Sequence, residues 1–253
     1  EDYPNTRFGQ WFLDPLNKKG PDYERNKKRI LDKIDVVDAS FLTTSPDALN
    51  FLKNKRSYYI PNPSDSSFEI LNNYKNPCNV DVFFALSHGV HRGVLKSGKT
   101  DDRITFLNKL LSVTPDIKFD IYGIKKIQPI WADHYFKTIQ NAKMGLNLSR
   151  GEAIKYYSSD RITQIIGNGL VCLIDEKTQY NNFFNSNEMV FYKNVSDLSE
   201  KIIKISKDEK LRKKIAKNGK KKYMKYFNSD LVAQYIINKT LDVKIKNKNF
   251  WER

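Results

Sequence analysis

The chain has 253 residues, enough for one large domain or two modest ones, and its 40% hydrophobic and 13% aromatic content supports a packed core and excludes global disorder. Its 44 basic and 29 acidic residues leave a net charge of +15, which favours anionic partners: nucleic acid, a membrane surface or phosphorylated substrates. No apolar run approaches the roughly 18–20 residues that cross a bilayer, the polar stretch Glu1–Gln10 with Pro4 does not read as a secretory leader, and the chain starts without an initiator Met, as a processed or trimmed piece would.

In chain order, Arg7–Pro15 (RFGQWFLDP) reads as a short strand running into a loop at Asp14. Pro21 opens a helix with a partial apolar stripe at Ile30, Leu31 and Ile34. DASFLTTS is a strand. SPDALNFLKN predicts a helix with Ser45 at its N-cap and Pro46 in its first turn. SYYIPNPSD is a strand ending in a proline-rich turn. SSFEILNNYKNPC reads as a polar connector without periodicity, and a domain boundary is placed near Pro77.

After that boundary, strand-like and helix-like segments alternate. NVDVFFALS, IKFDIYG, KMGLNLS, LVCLID and EMVFYKN read as strands; DDRITFLNKLLSV, IWADHYFKTIQNA and SSDRITQIIGNG read as helices between them. Three helices follow, from VSDLSEKIIKISKD, KLRKKIAKNGKKKYMKY and NSDLVAQYIINKT. This alternation predicts a parallel sheet with helices on both faces. Residues 1–77 form a partial or minimal N-terminal α/β domain, 78–227 a C-terminal α/β domain, and 228–253 a helix crossing back to the first domain with a basic tail.

In an open parallel sheet, ligands bind at the carboxyl ends of the strands. The loop after VFFALS carries His88, Gly89, Arg92 and Lys96, a set that suits a diphosphate: glycine for close backbone approach, cations for charge. It is neither a P-loop nor a dinucleotide fingerprint, and a basic surface loop has the same composition. After LNLS, the run Tyr157, Ser158, Ser159, Asp160 precedes a helix carrying Arg161 and Gln164 one turn apart. Arg161 can grip phosphate and Gln164 can bond ribose hydroxyls; a surface ion pair and a plain helix former are the bland alternatives. The two cysteines, Cys78 and Cys172, read as buried free thiols of a reducing compartment, and the three histidines are too scattered for a metal site. No aromatic-basic pattern or zinc-finger spacing supports nucleic-acid binding.

The segment from Asn79 to Asn228 resembles the nucleotide-sugar-binding domain of GT-B glycosyltransferases, of the "glycosyl transferases group 1" and CgeB-like kind. Three stretches carry the resemblance: FFALSHGVHRGVLKSG, SSDRITQIIGNGLVCLIDE, and the terminal helix pair LSEKIIKISKDEKLRKKIAKNGKKKYMKYFN. It implies a GT-B-like fold, a nucleoside-diphosphate sugar as donor with no separate cofactor and no metal, and a glycan, lipid or protein hydroxyl as acceptor, with a glycan or lipid-linked acceptor as the expected partner. Arg92 and Lys96 would meet the donor phosphates and Arg161 the diphosphate or sugar. Gln164 stands where the family has Glu, and Tyr156 where its Glu-x7-Glu pattern begins. Asp14 is the implied candidate base. The expected setting is the cytoplasm, with the basic surface suited to peripheral contact with an anionic membrane. Two other readings stand beside it: a non-catalytic nucleotide-sugar-binding module or truncated remnant, and a basic nucleic-acid-binding α/β protein.

Overall fold

The computed structural model describes residues 5–86, 101–244 and 247–252. A three-stranded parallel sheet comes first, in the order β1 (Gly9–Phe12), β2 (Ala39–Leu42), β3 (Ser57–Tyr59), with Phe12 beside Leu42 and Leu42 beside Tyr59. All four residues of β2 are buried because both faces are covered. Leu42 points into a small core with Phe12, Leu16, and Ile30 of helix α1 (Tyr23–Leu31), whereas Ala39 and Phe41 join the main core. That two-residue alternation is the pleat of a strand.

The predicted helix over residues 45–54 does not form. Pro46–Ala48 and Asn50–Leu52 are separate 3-10 turns, divided by Leu49 in an extended conformation. Leu49 and Leu52 are both drawn into the small core, which tertiary burial achieves at the expense of helix propensity. The Ser45 hydroxyl bonds the Asp47 carboxylate at 2.5 Å and caps no backbone N–H.

The second sheet has five parallel strands in the order β5–β4–β6–β7–β8, where β4 is Val80–Ala85, β5 Phe119–Tyr122, β6 Ala142–Asn147, β7 Val171–Asp175 and β8 Val190–Tyr192. Its strands are nearly continuous apolar runs because both faces are buried. Val82, Phe84, Met144, Leu146, Val171 and Leu173 pack towards α2 (Asp102–Val113) and α5 (Val195–Lys207). Phe83, Cys172 and Ile174 face the opposite core, with Ile162, Ile165 and Ile166 of α4 (Arg161–Gly167). Gly145 of β6 is what lets α4 sit down: a Cβ there would meet Ile165 at 2.5 Å. The chain leaves β4 for β5 on one side and returns through α3 (Ala132–Ile139) to β6 on the other. That reversal opens a crevice at the carboxyl ends of β4 and β6.

Between the sheets, residues 60–79 run along α6 (Glu209–Tyr226) as a strap. Tyr223 Oη donates to Asn62 O at 2.7 Å, and Lys220 Nζ bonds the carbonyls of Glu69 (3.1 Å) and Leu71 (2.5 Å). The fully buried Arg212 holds Asn73 O and Asn76 O at 3.0 and 3.1 Å, with Glu209 as its ion-pair partner. Ser64 pairs with Asn228 just before α7 (Ser229–Thr240), which returns to the first sheet and sets Tyr235 edge-on to Phe41 and Tyr58. Both cysteines are free, Cys172 buried and Cys78 half-buried. Among the described residues no helix is long and apolar enough to cross a membrane.

Arg212 is the buried cation on which the strap hangs. Arg212→Ala strands two carbonyls and is expected to lower stability by about 3 kcal/mol, read as a shifted midpoint in urea unfolding with secondary structure retained below it.

Candidate functional site

A cavity of about 420 Å³ opens at the carboxyl end of β4. One wall is Ala85 and Leu86, where the strand ends. A second is the start of α3, with Ile130, Trp131, Ala132 and Tyr135. The third is α4, with Asp160, Arg161, Gln164 and Asn168, and the fourth is the strap, with Phe68 and Glu69. Phe68 and Trp131 are more than half exposed, at 67% and 57%, so two aromatic side chains stand at the rim. Ala132 takes φ +46° at the same lip, a left-handed conformation that alanine rarely adopts and that concentrates at functional sites.

Arg161 and Gln164 therefore share one cavity. The Arg161 guanidinium lies 5.4 Å from the Phe84 ring centroid and donates from Nη2 to Leu148 O at 2.7 Å. Among the described residues its Nε is buried without a partner. Burial, helped by the charge of Arg103, lowers its pKa from the usual arginine value; the cation is under-neutralised and suited to an anion. Gln164 Oε1 accepts the Tyr135 hydroxyl at 2.6 Å, and burial raises the pKa of that hydroxyl, keeping it a donor. Gln164 thus has its oxygen engaged and its amide N–H groups to offer.

Helix α4 ends in the run Gly167-Asn168-Gly169. The N–H of Gly169 bonds Ile166 O and that of Leu170 bonds Ile165 O, both at 3.1 Å, with Gly169 at φ +80°; this is a Schellman cap. The glycines also admit the strap. A Cβ on Gly167 would lie 2.3 Å from Glu69 Cγ, and one on Gly169 would lie 2.8 Å from Tyr74 Cδ1. Asn168 Oδ1 accepts the Leu71 N–H at 3.0 Å and its carbonyl accepts that of Asn73 at 3.1 Å. At the other end of the helix, none of Ser158, Ser159 or Asp160 caps: Asp160 holds the N-cap position without a side-chain bond.

The remaining expected residues lie elsewhere. Ser158 is buried, bonding Asn62 Nδ2 at 3.1 Å and Tyr180 Oη at 2.9 Å. Ser159 donates to Asn147 Oδ1 at 3.0 Å. Tyr157 lines a second, smaller cavity of about 40 Å³ with Asn17, Asn147, Asp175 and Tyr192. Asn17 Oδ1, Asn147 Nδ2 and Tyr192 Oη are buried there without partners among the described residues. Asp14, just past the end of β1, pairs with Arg29 at 2.6 Å. His88, Gly89, Arg92 and Lys96 fall outside the described residues. Phe68, Glu69, Trp131 and Tyr135 were absent from the sequence-based set. The paired glycines around Asn168 were the signal that a further segment approaches α4.

Beside the cavity, Asp101 caps α2 and binds the Arg103 guanidinium through both oxygens, at 2.9 and 2.7 Å; both side chains are buried. Although burial opposes it, the arginine bonds and charge bring the Asp101 pKa down to about 2. Arg150 reaches from the same carboxylate (3.7 Å) to Asp22 before α1 (3.3 Å).

A family model described as glycosyl transferase-like matches residues 103–238, more than half of the chain. The chain belongs to that glycosyl transferase-like family. None of the curated proteins compared by sequence matches it. Solved structures share the GT-B fold at low identity. TarM superposes with a TM-score of 0.67 and 12% identity over 95% of this chain and 51% of that one. An S. aureus TarM variant in complex with fondaparinux, α-GlcNAc-glycerol and UDP gives 0.68 and 12% over 95% and 52%. HepE from Anabaena, in complex with UDP and glucose, gives 0.62 and 11% over 92% and 70%. The chain spans about half the length of the TarM structures it matches.

Two expected outcomes follow from the site. Gly167→Ala must displace the Glu69 side chain and is expected to cost about 1–3 kcal/mol, with the loss visible in thermal unfolding and absent for Ala at an exposed position of α6 such as Lys217. Because Asp101 has its pKa depressed in the folded state, its contribution is complete above about pH 4 and is lost as pH falls towards about 2. Urea midpoints measured from pH 5 to pH 2 should fall less steeply in Asp101→Asn than in the parent.

Proposed function

We propose that the chain is a glycosyltransferase that moves a sugar from a nucleoside-diphosphate donor to an acceptor hydroxyl. The observation that carries the reading is the convergence of Arg161 and Gln164 on one cavity at the switch point of the parallel sheet, within a chain whose family is glycosyl transferase-like. Such a crevice is where an open α/β sheet takes its ligand. Arg161, with its unpartnered Nε, would meet the diphosphate and stabilise the charge it gains as the sugar–phosphate bond breaks. Gln164 and the exposed rings of Phe68 and Trp131 would hold the nucleoside. The acceptor is read as a glycan or lipid-linked hydroxyl whose proton passes to a base, for which Asp14 beyond β1 is the candidate.

We further read the reaction as metal-independent, the basic groups taking the place of a cation, and the protein as cytoplasmic and CgeB-like, with its +15 charge drawing it to an anionic membrane face and a cell-envelope glycan. A second reading has its own support. Gln164 lacks the carboxylate charge and spends its oxygen on Tyr135, which suits a module that binds donor without turnover.

HepE and the TarM variant are seen with UDP, so UDP is the first probe, with GDP and their sugar conjugates beside it. Calorimetry should show saturable binding of one nucleotide, unchanged by EDTA and weakened about tenfold or more in Arg161→Ala. Release of free nucleotide from the sugar conjugate with an acceptor present separates transferase from binding module. If no nucleotide binds the folded protein, the donor-site reading fails.

A further inference from the structure

We propose that Glu69, carried on the strap between the two sheets, is the group that receives the ribose hydroxyls of the bound nucleotide. This rests on the donor-site reading above and adds to it the residue that recognises the sugar of the nucleoside.

A ribose presents two adjacent hydroxyls, each with a proton to donate, so its partner of choice is an anionic acceptor. Among the described residues four side-chain amides and carboxylates line the cavity, and Asn168 Oδ1 already accepts the Leu71 N–H at 3.0 Å. Gln164 Oε1 already accepts the Tyr135 hydroxyl at 2.6 Å, so one of its two lone pairs is taken, and the amide carries no charge. Asp160 is exposed at the start of α4, and its charge acts on the neighbouring Arg161 cation. Glu69 is 8% exposed and lines the wall opposite Tyr135 and Trp131. Its Oε2 accepts the Asp65 N–H at 2.6 Å, which fixes the carboxyl group on the wall of the cavity.

The position of Glu69 is built, and from more than one side. Gly167 is bare where the Glu69 side chain crosses α4. Lys220 grips the backbone of Glu69 and Leu71 from α6, and Asn168 holds Leu71 from the end of α4. A buried carboxylate held this firmly, on the wall of a cavity with a cation on another wall, is an arrangement for recognition. The protein thereby places on the strap the negative acceptor that α4 lacks.

The test compares ribose with a sugar that has no hydroxyls. UDP, GDP and ADP are titrated into the wild type by calorimetry, and the nucleotide that binds is compared with its 2′,3′-dideoxy analogue. The variant is Glu69→Gln, which keeps the side-chain length and the bond to Asp65 N–H; its thermal unfolding is recorded alongside. The expected result is a loss of about tenfold in affinity for the ribonucleotide and little change for the dideoxy analogue. Equal affinity of wild type and variant for the ribonucleotide overturns the assignment while the donor site stands. An equal loss on both ligands overturns it too, reducing Glu69 to a support for the strap. Absence of binding by the wild type for all three nucleotides overturns the donor-site reading and the assignment together.

Discussion

The close approach of the strap to the glycine end of α4 is the contact on which the rest of this molecule depends. Gly167 and Gly169 have no side chain, and so Glu69, Asn73 and Tyr74 can lie directly on the helix terminus. Asn168 between them satisfies the strap's backbone at Leu71 and Asn73. A segment that would otherwise be a solvated linker becomes a wall. It closes the cavity on one side, and on the other it docks along α6 through Arg212, Lys220 and Tyr223. The same three-residue run thus ends a helix, shapes a ligand cavity and fixes the link between two sheets.

Electrostatics in the cavity follow from this packing. Arg161 is partly buried on the cavity wall, where one carbonyl, one aromatic face and the charge of Asp160 act on its cation. Its Nε has no partner among the described residues. By donating to Gln164, Tyr135 takes one of the two lone pairs of the amide oxygen and turns the N–H groups to the remaining space.

Much of the fold could be read from sequence because local and global preferences agree there. The five apolar strands, the glycine after Tyr122 and the cap at Asp101 each point to the same alternating sheet, and the structure has them. The helix expected from Ser45 is interrupted at Leu49, which is extended between two short turns while Leu49 and Leu52 both join the small core. The site was legible only in part. Arg161 and Gln164 stand out by their spacing on one helix. Glu69 and Phe68 sit in a stretch without periodicity, and their role depends on a contact about a hundred positions further along the chain. Ser158 shows the converse: in sequence it reads as a ligand-facing hydroxyl, yet it is spent on Asn62 and Tyr180.

The bridge between Ser64 and Asn228 has a mechanical consequence. The chain passes between the two sheets twice, once outward along the strap and once back into α7, and both passages meet at this pair. A rotation of one sheet against the other would therefore pivot there. The larger cavity has all its walls on the α6 side of the pivot, because the strap moves with α4, so it would keep its shape through such a rotation. The smaller cavity would not: Asn17 stands on one side of the joint and Asn147, Asp175 and Tyr192 on the other. In hinge terms, one chamber is rigid cargo space and the other is the gap between the jaws.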